Sequence, residues 1–115
     1  MIISHEKEVS STKITHPEAK DAFMQTLISP KEGWAGYVMR VFQLEEGGYS
    51  PKHTHAWPHI NYILEGKGTL FLENKENIIE QGSYAYVPSN ELHQFRNTGN
   101  GPLKFICIVP EEGHM

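Results

Sequence analysis

The chain has 115 residues, of which 38% are hydrophobic, and it carries one cysteine, seven histidines and a formal net charge of −4. This length supports one domain with its own core, and a single cysteine excludes an internal disulfide framework. The 14 acidic against 10 basic residues argue against nucleic acid or an anionic membrane surface as a partner. No apolar run approaches the roughly 20 residues that span a bilayer, and the N-terminus lacks a secretory-signal layout, so we expect a cytoplasmic protein.

The first 33 residues are polar and mixed, with little hydrophobic periodicity. Pro17 at the start of the segment 17–23 predicts a short helical turn there, because proline is favoured at the first helical position. We expect residues 1–33 to form an arm that packs outside the rest of the domain or exchanges with a partner chain.

From Trp34 onward, short β-rich runs alternate with turns that contain Gly, Pro and Asn. The predicted strands are 34–45, 49–56, 59–65, 69–73, 78–81, 84–88, 92–97 and 103–109. Since no long helical stripe interrupts them, the pattern predicts an all-β sandwich or closed barrel. The runs 84–87 and 105–109 are apolar at consecutive positions and need cover on both faces. One small barrel covers only the inner face, so we expect a homodimer.

Four histidines lie in the middle of this β pattern. His53 and His55 alternate along a predicted strand, so their side chains project from one face about 7 Å apart. Trp57-Pro58 then ends the strand, because proline cannot donate to a β-ladder, and His59 opens the next strand. His93 begins a later strand after a turn. Four imidazoles from three strands can therefore surround one transition metal ion.

The two histidine segments resemble the two motifs of the cupin superfamily. The matching positions are Gly47, His53, His55 and Gly66 in the first motif, and Gly82, Pro88, His93 and Asn97 in the second. Two positions depart from the family pattern: His59 stands where cupins usually have a metal-binding glutamate, and Asn90 replaces a turn glycine. The resemblance runs from about Trp34 to the C-terminus. It implies a single-domain cupin barrel, a double-stranded β-helix or jelly roll, over residues 34–115.

The histidine at position 59 resembles a subgroup of small cupins with four histidine ligands, known mainly with manganese. The resemblance implies one divalent transition metal per chain, held by His53, His55, His59 and His93. Imidazole ligands alone suit zinc, copper, iron and nickel, so the expectation of manganese comes from the resemblance and not from the ligand type. Four neutral ligands leave the ion its full charge of +2, which makes it a strong Lewis acid that favours anionic ligands.

Four further residues are candidates for a substrate pocket: Arg40, Phe95, Phe105 and Cys107. Arg40 lies in the middle of a predicted strand, where a charge needs either an ion-pair partner or a cavity with a substrate carboxylate. Cys107 has the same strand parity as Phe105 and lines the cavity if that face points inward. A buried free cysteine is otherwise an ordinary small hydrophobic residue.

Three classes of function are compatible with this sequence. We expect a metal-dependent oxidoreductase, such as a dioxygenase, that acts on a small organic molecule in the barrel cavity. The alternatives are a non-redox metal-dependent isomerase or cyclase, and a non-catalytic module that binds a small molecule. The acidic candidates for a general base are mostly in turns (Glu46, Glu65 and Glu91), which disfavours the isomerase.

Overall fold

The computed structural model describes residues 1–114, and its regular structure is almost entirely β. The strands are β1 (Thr12–Lys13), β2 (Lys20–Ile28), β3 (Tyr37–Tyr49), β4 (His59–Glu65), β5 (Lys67–Leu72), β6 (Lys75–Glu80), β7 (Tyr84–Val87), β8 (Gln94–Asn97) and β9 (Leu103–Pro110). Short 3₁₀ turns cover Glu6–Glu8, Pro30–Glu32 and Glu111–Gly113. Within residues 1–114, no helix is long and apolar enough to cross a membrane. The all-β class is confirmed.

The strands form one antiparallel sheet that curves into a nearly closed barrel. Its order is β6-β5-β8-β3-β9-β4-β7, with β2 paired to β3 and β1 paired to β2. Side chains alternate across the sheet: along β9, Leu103, Phe105, Cys107 and Val109 are buried, while the residues between them are half-buried. The predicted jelly-roll barrel is confirmed, and its inward face provides the core.

The helical turn predicted at 17–23 is reduced to one hydrogen-bonded turn at its start, where the Ala19 N–H donates to the carbonyl of His16 at 3.0 Å, and it does not continue to Phe23. Lys20–Ile28 is a nine-residue strand that pairs along β3, where Phe23 lies opposite Gln43 and Gln25 lies opposite Val41. Backbone pairing with the long strand β3 outweighs the weak local preference for a turn of helix. That residues 1–33 form a separate arm stays a prediction. That this arm exchanges between chains stays a prediction as well.

The segment between β3 and β4 also differs from the sequence-based prediction. The predicted strand 49–56 is absent as such, because β3 continues to Tyr49 and residues 50–58 contain a single β-bridge, at His53. Pro51 and Pro58 have no backbone N–H to donate, which keeps this segment out of the regular ladder. The first two histidines therefore lie on a loop that is joined to residues 93–95 by backbone hydrogen bonds at Ser50 and at His53.

Gly66 and Gly82 have the same backbone conformation but different surroundings, so a comparison of the two measures the effect of close packing at Gly66. Gly66 and Gly82 both have positive φ, 93° and 92°, but a Cβ on Gly66 lies 2.2 Å from the Pro102 carbonyl oxygen, whereas a Cβ on Gly82 meets nothing within 4 Å. We expect Gly82→Ala to lower the free energy of unfolding by about 1 kcal/mol, the cost of left-handed backbone, and Gly66→Ala by about 3 kcal/mol, because the clash adds to it. Urea denaturation measures both, and equal losses contradict this account of Gly66.

Candidate metal centre

A β-bridge between His53 and His93 joins the two histidine segments. The backbone N–H of each residue donates to the carbonyl of the other, with N···O distances of 3.2 and 3.1 Å. The loop that follows β3 is thereby held against the segment that enters β8. Two histidines that are 40 positions apart in the sequence consequently lie side by side.

Asn90 makes a second link between the same segments. Its φ is 66°, in the left-handed region that asparagine tolerates better than most residues, so it takes the place of the family's turn glycine without a change of backbone shape. Its N–H donates to the carbonyl oxygen of His55 at 2.7 Å. The departure from the family pattern at position 90 is therefore conservative.

Three histidine side chains form a cluster with metal-binding geometry. His53, His55 and His93 each offer a ring nitrogen, and these nitrogens lie within 4.8 Å of one another. His59 approaches the same cluster from the inner face of β4, where its Nε2 is 3.3 Å from Nε2 of His93. The structure thus brings all four predicted histidines together.

Hydrogen bonds determine which nitrogen each ring presents to the cluster. His55 Nδ1 lies 2.7 Å from the carbonyl oxygen of Trp57, and His93 Nδ1 lies 2.8 Å from that of Glu91. A carbonyl oxygen can only accept, so both Nδ1 atoms carry the hydrogen. Each Nε2 therefore keeps its lone pair in the neutral ring.

The orientation of His59 is set by a side chain instead. Its Nδ1 donates to Oδ1 of Asn61 at 2.7 Å, and Asn61 Nδ2 in turn donates to the carbonyl of Ile106 at 3.2 Å. The bond to Ile106 identifies the amide nitrogen, so Oδ1 must be the atom that faces the ring. His59 therefore also presents a bare Nε2. Such outer hydrogen bonds are typical of metal-ligating histidines.

These residues fit a divalent transition metal. Two bare imidazole nitrogens, on His59 and His93, face each other at 3.3 Å with no hydrogen between them. That arrangement is repulsive for two lone pairs, and a cation that both rings ligate removes the repulsion. Neutral imidazole donors of this kind suit transition metals rather than calcium or magnesium.

Burial keeps these rings in the form that binds a metal. It lowers the pKa of His59 to about 3, with a further contribution from His93, which lies against it. It also lowers the pKa of His93 to about 4, against the opposing effect of the hydrogen bond to Glu91. Burial, followed by the proximity of His55, lowers the pKa of His53. The lowered pKa values favour the unprotonated form of His53, His59 and His93 at neutral pH, in which their lone pairs are free for a metal.

Trp57 supports His55 in two ways. Its indole stacks on the imidazole, with ring centroids 4.8 Å apart and planes inclined by 8°, while its carbonyl accepts the ring hydrogen. Gly113 packs against the same indole, where a Cβ would lie 2.5 Å from the indole Nε1. The C-terminal 3₁₀ turn thus limits the movement of the residue that orients His55.

The sequence analysis missed both supporting residues. Asn61 lies two positions after His59 in a strand, so strand parity places the two side chains on the same inner face, and a buried asparagine needs a partner. That signal was available in the sequence. The contact of Trp57 with Gly113 was not, because it joins segments 56 residues apart.

The four pocket candidates occupy different surroundings. Phe95 and Phe105 stack on each other with centroids 4.2 Å apart, and both belong to the main core cluster. Cys107 is buried beside Arg40, and burial raises the pKa of its thiol. The contribution of these residues to substrate binding stays a prediction.

Arg40 lies in the same inner row as Asn61, with Cys107 between them on β9. Its guanidinium contacts Cys107 Sγ at 3.2 Å and Met24 Sδ at 3.9 Å, and it lies over the ring of Phe42. Its Nε is buried without a hydrogen-bond partner in the described part of the chain. Sulfur is a weak acceptor, so these contacts leave the positive charge poorly compensated. Among residues 1–114, no carboxylate lies within ion-pair distance of Arg40.

The barrel and its histidine cluster are the features of a cupin, and a comparison with protein families agrees. The family model described as "Cupin domain" matches residues 40–109, which contain all four histidines of the cluster. This chain belongs to the cupin family.

Curated relatives align over much of the chain. A glucose-6-phosphate isomerase from Thermococcus kodakarensis is 36% identical over 113 residues, covering 93% of this chain and 56% of its own length. An uncharacterized protein from Methanocaldococcus jannaschii is 42% identical over 48 residues, which cover 42% of this chain and 38% of that protein. The chain spans about half the length of the curated relatives it matches, or less.

Solved structures share the fold over nearly the whole chain. The polyketide cyclase RemF from Streptomyces resistomycificus superimposes with a TM-score of 0.90 at 26% identity, covering 96% of this chain and 80% of that one. A predicted oxalate decarboxylase from Thermotoga maritima gives 0.87 at 25% identity, covering 95% and 98%. The activities named for these neighbours differ, so the fold that they share leaves the reaction open.

We expect the metal-free protein to lose stability as the pH falls below about 6.5. The folded pKa values of His59 and His93, about 3 and about 4, lie below the 6.5 of an ordinary histidine. Between these values the unfolded chain binds more protons than the folded one, so stability is full above 6.5 and declines toward pH 4. Urea denaturation at pH 7.5, 6 and 4.5, in the presence of a chelator, measures the decline.

Variants identify the source of this pH dependence. His59→Gln removes one of the shifted groups and should flatten the decline. His5→Gln changes an exposed histidine outside the cluster and serves as the matched control. A decline that is unchanged in His59→Gln contradicts the assignment.

Proposed function

We propose that the chain binds one divalent transition metal through His53, His55, His59 and His93, with manganese as the expected ion. The observation that supports this most directly is the common orientation of the rings, since hydrogen bonds leave Nε2 bare on His55, His59 and His93. When bound, such an ion supplies Lewis-acid and redox chemistry in the barrel. The protein residues supply its position, its charge environment and the contacts with a substrate.

His59 is proposed as the fourth ligand in place of the glutamate that is usual in cupins. It is buried, its Nε2 adjoins that of His93, and Asn61 holds its ring. Glu65, at the end of β4, is exposed. The substitution of a neutral ligand for a carboxylate raises the net positive charge of the loaded centre by one.

We infer that the substrate is a small organic anion. The loaded centre has a charge of +2, Arg40 adds a further positive charge in the same barrel, and no Asp or Glu among residues 1–114 is buried to offset them. A carboxylate or an enolate offsets part of this positive charge and gives Arg40 a hydrogen-bond acceptor that residues 1–114 do not supply to its Nε. The cavity is thus better suited to an acid or an ionised enol than to a neutral molecule.

The reaction that we favour is oxidation by dioxygen, in the manner of a dioxygenase. The absence of a buried carboxylate in the described chain leaves no strong carboxylate base in the barrel, which an isomerase acting by proton abstraction needs. A dioxygenase places both oxygen atoms of O₂ in the product, so the reaction balances without an external reductant. The four histidines would hold the ion that supplies this chemistry, and Arg40 would bind and orient the anionic group of the substrate.

A metal-dependent isomerase or cyclase is the second candidate. It is favoured by the names of the relatives, which include a glucose-6-phosphate isomerase at 36% identity and a polyketide cyclase with a TM-score of 0.90. In this case a metal ion held by the histidines would supply Lewis-acid chemistry toward a carbonyl group, and the base would come from the substrate, from water or from a histidine that is not ligated. A non-catalytic binding module remains the third reading.

The metal-ligand proposal is tested by His59→Ala with Glu65→Ala as its matched control. Loss of one of four ligands should weaken metal binding at least tenfold, while removal of the exposed carboxylate should leave it unchanged. Metal content after dialysis and calorimetric titration with Mn²⁺ measure the difference. If Glu65→Ala loses the ion and His59→Ala keeps it, the fourth ligand is misassigned.

The reaction is tested with the metal-loaded protein and a panel of small enolisable and catecholic compounds, each offered as an acid and as its neutral amide or ester. We expect O₂ uptake that requires the metal and prefers the acids. We also expect Arg40→Met to raise KM for the acids roughly tenfold or more, because a charge-assisted hydrogen bond is lost. Arg96→Met, at an exposed position, is the control.

The same preparation separates the alternatives. Metal-dependent interconversion of glucose 6-phosphate and fructose 6-phosphate without O₂ uptake supports the isomerase and overturns the oxidoreductase. Tight binding of the acids with no turnover under any condition supports the binding module. Equal KM values for acids and neutral analogues contradict the role proposed for Arg40.

A further inference from the structure

His114 lies at one end of the barrel, although neither histidine motif contains it. The 3₁₀ turn Glu111–Gly113 follows directly on β9, and its first N–H donates to the carbonyl of Gly36 at 2.8 Å, which ties the turn to the start of β3. Gly113 packs beside Val109, a buried inner residue of β9, since a Cβ on Gly113 would lie 2.4 Å from Val109 Cγ2. The turn therefore folds back against the inner residues at this end of the barrel.

Arg40 lies in the barrel close to this turn. It is the next inner residue of β3 after Val38, whose partner on β9 is Val109, and successive residues on one face of a strand are about 7 Å apart. Burial, followed by the nearby charges of Arg40 and Lys31, lowers the pKa of His114. Among residues 1–114 no carboxylate is within ion-pair distance of His114 or Arg40, and the two glutamates of the turn itself are exposed. The charged groups beside the His114 ring are thus both positive.

Two buried polar atoms at this end of the barrel have no partner. In the described part of the chain, three buried side-chain nitrogen or oxygen atoms make no hydrogen bond: Arg40 Nε, His114 Nδ1 and Thr69 Oγ1. Thr69 is on β5, which pairs with neither β3 nor β9. Native proteins seldom leave such atoms unpaired, because burial without a partner costs free energy. The occurrence of two of them at one place indicates a ligand that bonds to both.

We propose that Arg40 and His114 together bind the acid group of the substrate, with Arg40 Nε and His114 Nδ1 each donating a hydrogen bond to one of its oxygens. This inference rests on the proposed function, in which the substrate is a small organic anion. The Nε of arginine can only donate, so the ligand must supply an acceptor. A neutral imidazole carries one N–H, and an anion favours the tautomer that has it on Nδ1. A carboxylate offers both donors an oxygen at once.

The position of this pair relates substrate binding to the proposed metal centre. Arg40, Cys107 and Asn61 form one inner row across β3, β9 and β4, and Asn61 holds the ring of His59. An acid group that is bound by Arg40 and His114 therefore lies beside the row that leads to the histidine cluster. Because two donors bind the acid group, they fix its orientation as well as its position, and they disfavour a neutral amide, whose NH₂ group would face a donor.

Calorimetric titration of the full chain with acetate and with benzoate, each compared with its neutral amide, tests the proposal. The titrations use both Mn²⁺-loaded protein and protein treated with a chelator. We expect the carboxylates to bind more tightly than the amides in both preparations. His114→Phe should weaken carboxylate binding roughly tenfold, because a hydrogen bond to a charged group is lost. His114→Asn, whose amide donates from near the position of Nδ1, should restore most of the affinity. His5→Phe, at an exposed histidine, is the control.

Mn²⁺ titration of His114→Phe distinguishes substrate binding from a structural role. Gly113 packs on Trp57, which stacks on His55, so a residue that only held this turn in place would act on the metal centre. The proposed role predicts an unchanged affinity for Mn²⁺. A loss of Mn²⁺ affinity as large as the loss of carboxylate affinity overturns the proposal in favour of the structural role.

Three further results overturn the proposal. The first is that the unmodified chain binds carboxylates no better than amides, or binds neither carboxylate at up to about 50 mM. The second is unchanged carboxylate binding in His114→Phe. The third is an equal loss in His114→Phe and His114→Asn. Failure of the proposed function gives a different result: a chain that binds no Mn²⁺ but keeps His114-dependent carboxylate binding refutes the metal centre and supports the acid-binding pair.

Discussion

The hydrogen bonds from imidazole Nδ1 atoms to oxygen acceptors are the constraint on which the candidate metal centre depends. In each of His55, His59 and His93 the acceptor lies two residues away in the sequence, on Trp57, Asn61 and Glu91. Because each acceptor is only two residues from its histidine, its position relative to the ring depends on the local backbone conformation. The shapes of the two loops and of β4 therefore determine the tautomers, and the tautomers determine that bare nitrogens converge.

The alternation of side chains in a β-strand gives β4 two tasks. Its inner face carries His59 and Asn61, which orients the histidine ring, while its outer face carries the exposed side chains of Ile60 and Tyr62. A shift of register by one residue would exchange these faces and remove both features at once. The antiparallel pairings of β4 with β7 and β9 consequently protect the site as well as the barrel.

Charge distinguishes this barrel from one built on the more usual cupin ligand set. His59 stands at the position where cupins usually have a glutamate, Arg40 is positively charged, and no acidic residue is buried in the described chain. The interior is therefore short of negative charge. The solved neighbours include a cyclase and a predicted oxalate decarboxylase on the same fold. The side chains that face the cavity, rather than the barrel, must therefore determine the reaction.

The sequence alone determined the all-β class and the grouping of the four histidines, because these depend on short-range spacing and on the backbone limits of glycine, proline and asparagine. It did not determine that Lys20–Ile28 is a strand, since that depends on pairing with β3, or that residues 50–58 form a loop with a single β-bridge, at His53. The amide orientation of Asn61 required Ile106, a residue from another strand. The weak pairing of Arg40 likewise depends on which distant residues surround it. Local features were readable from spacing, whereas contacts between distant segments exist only once the sheet has formed.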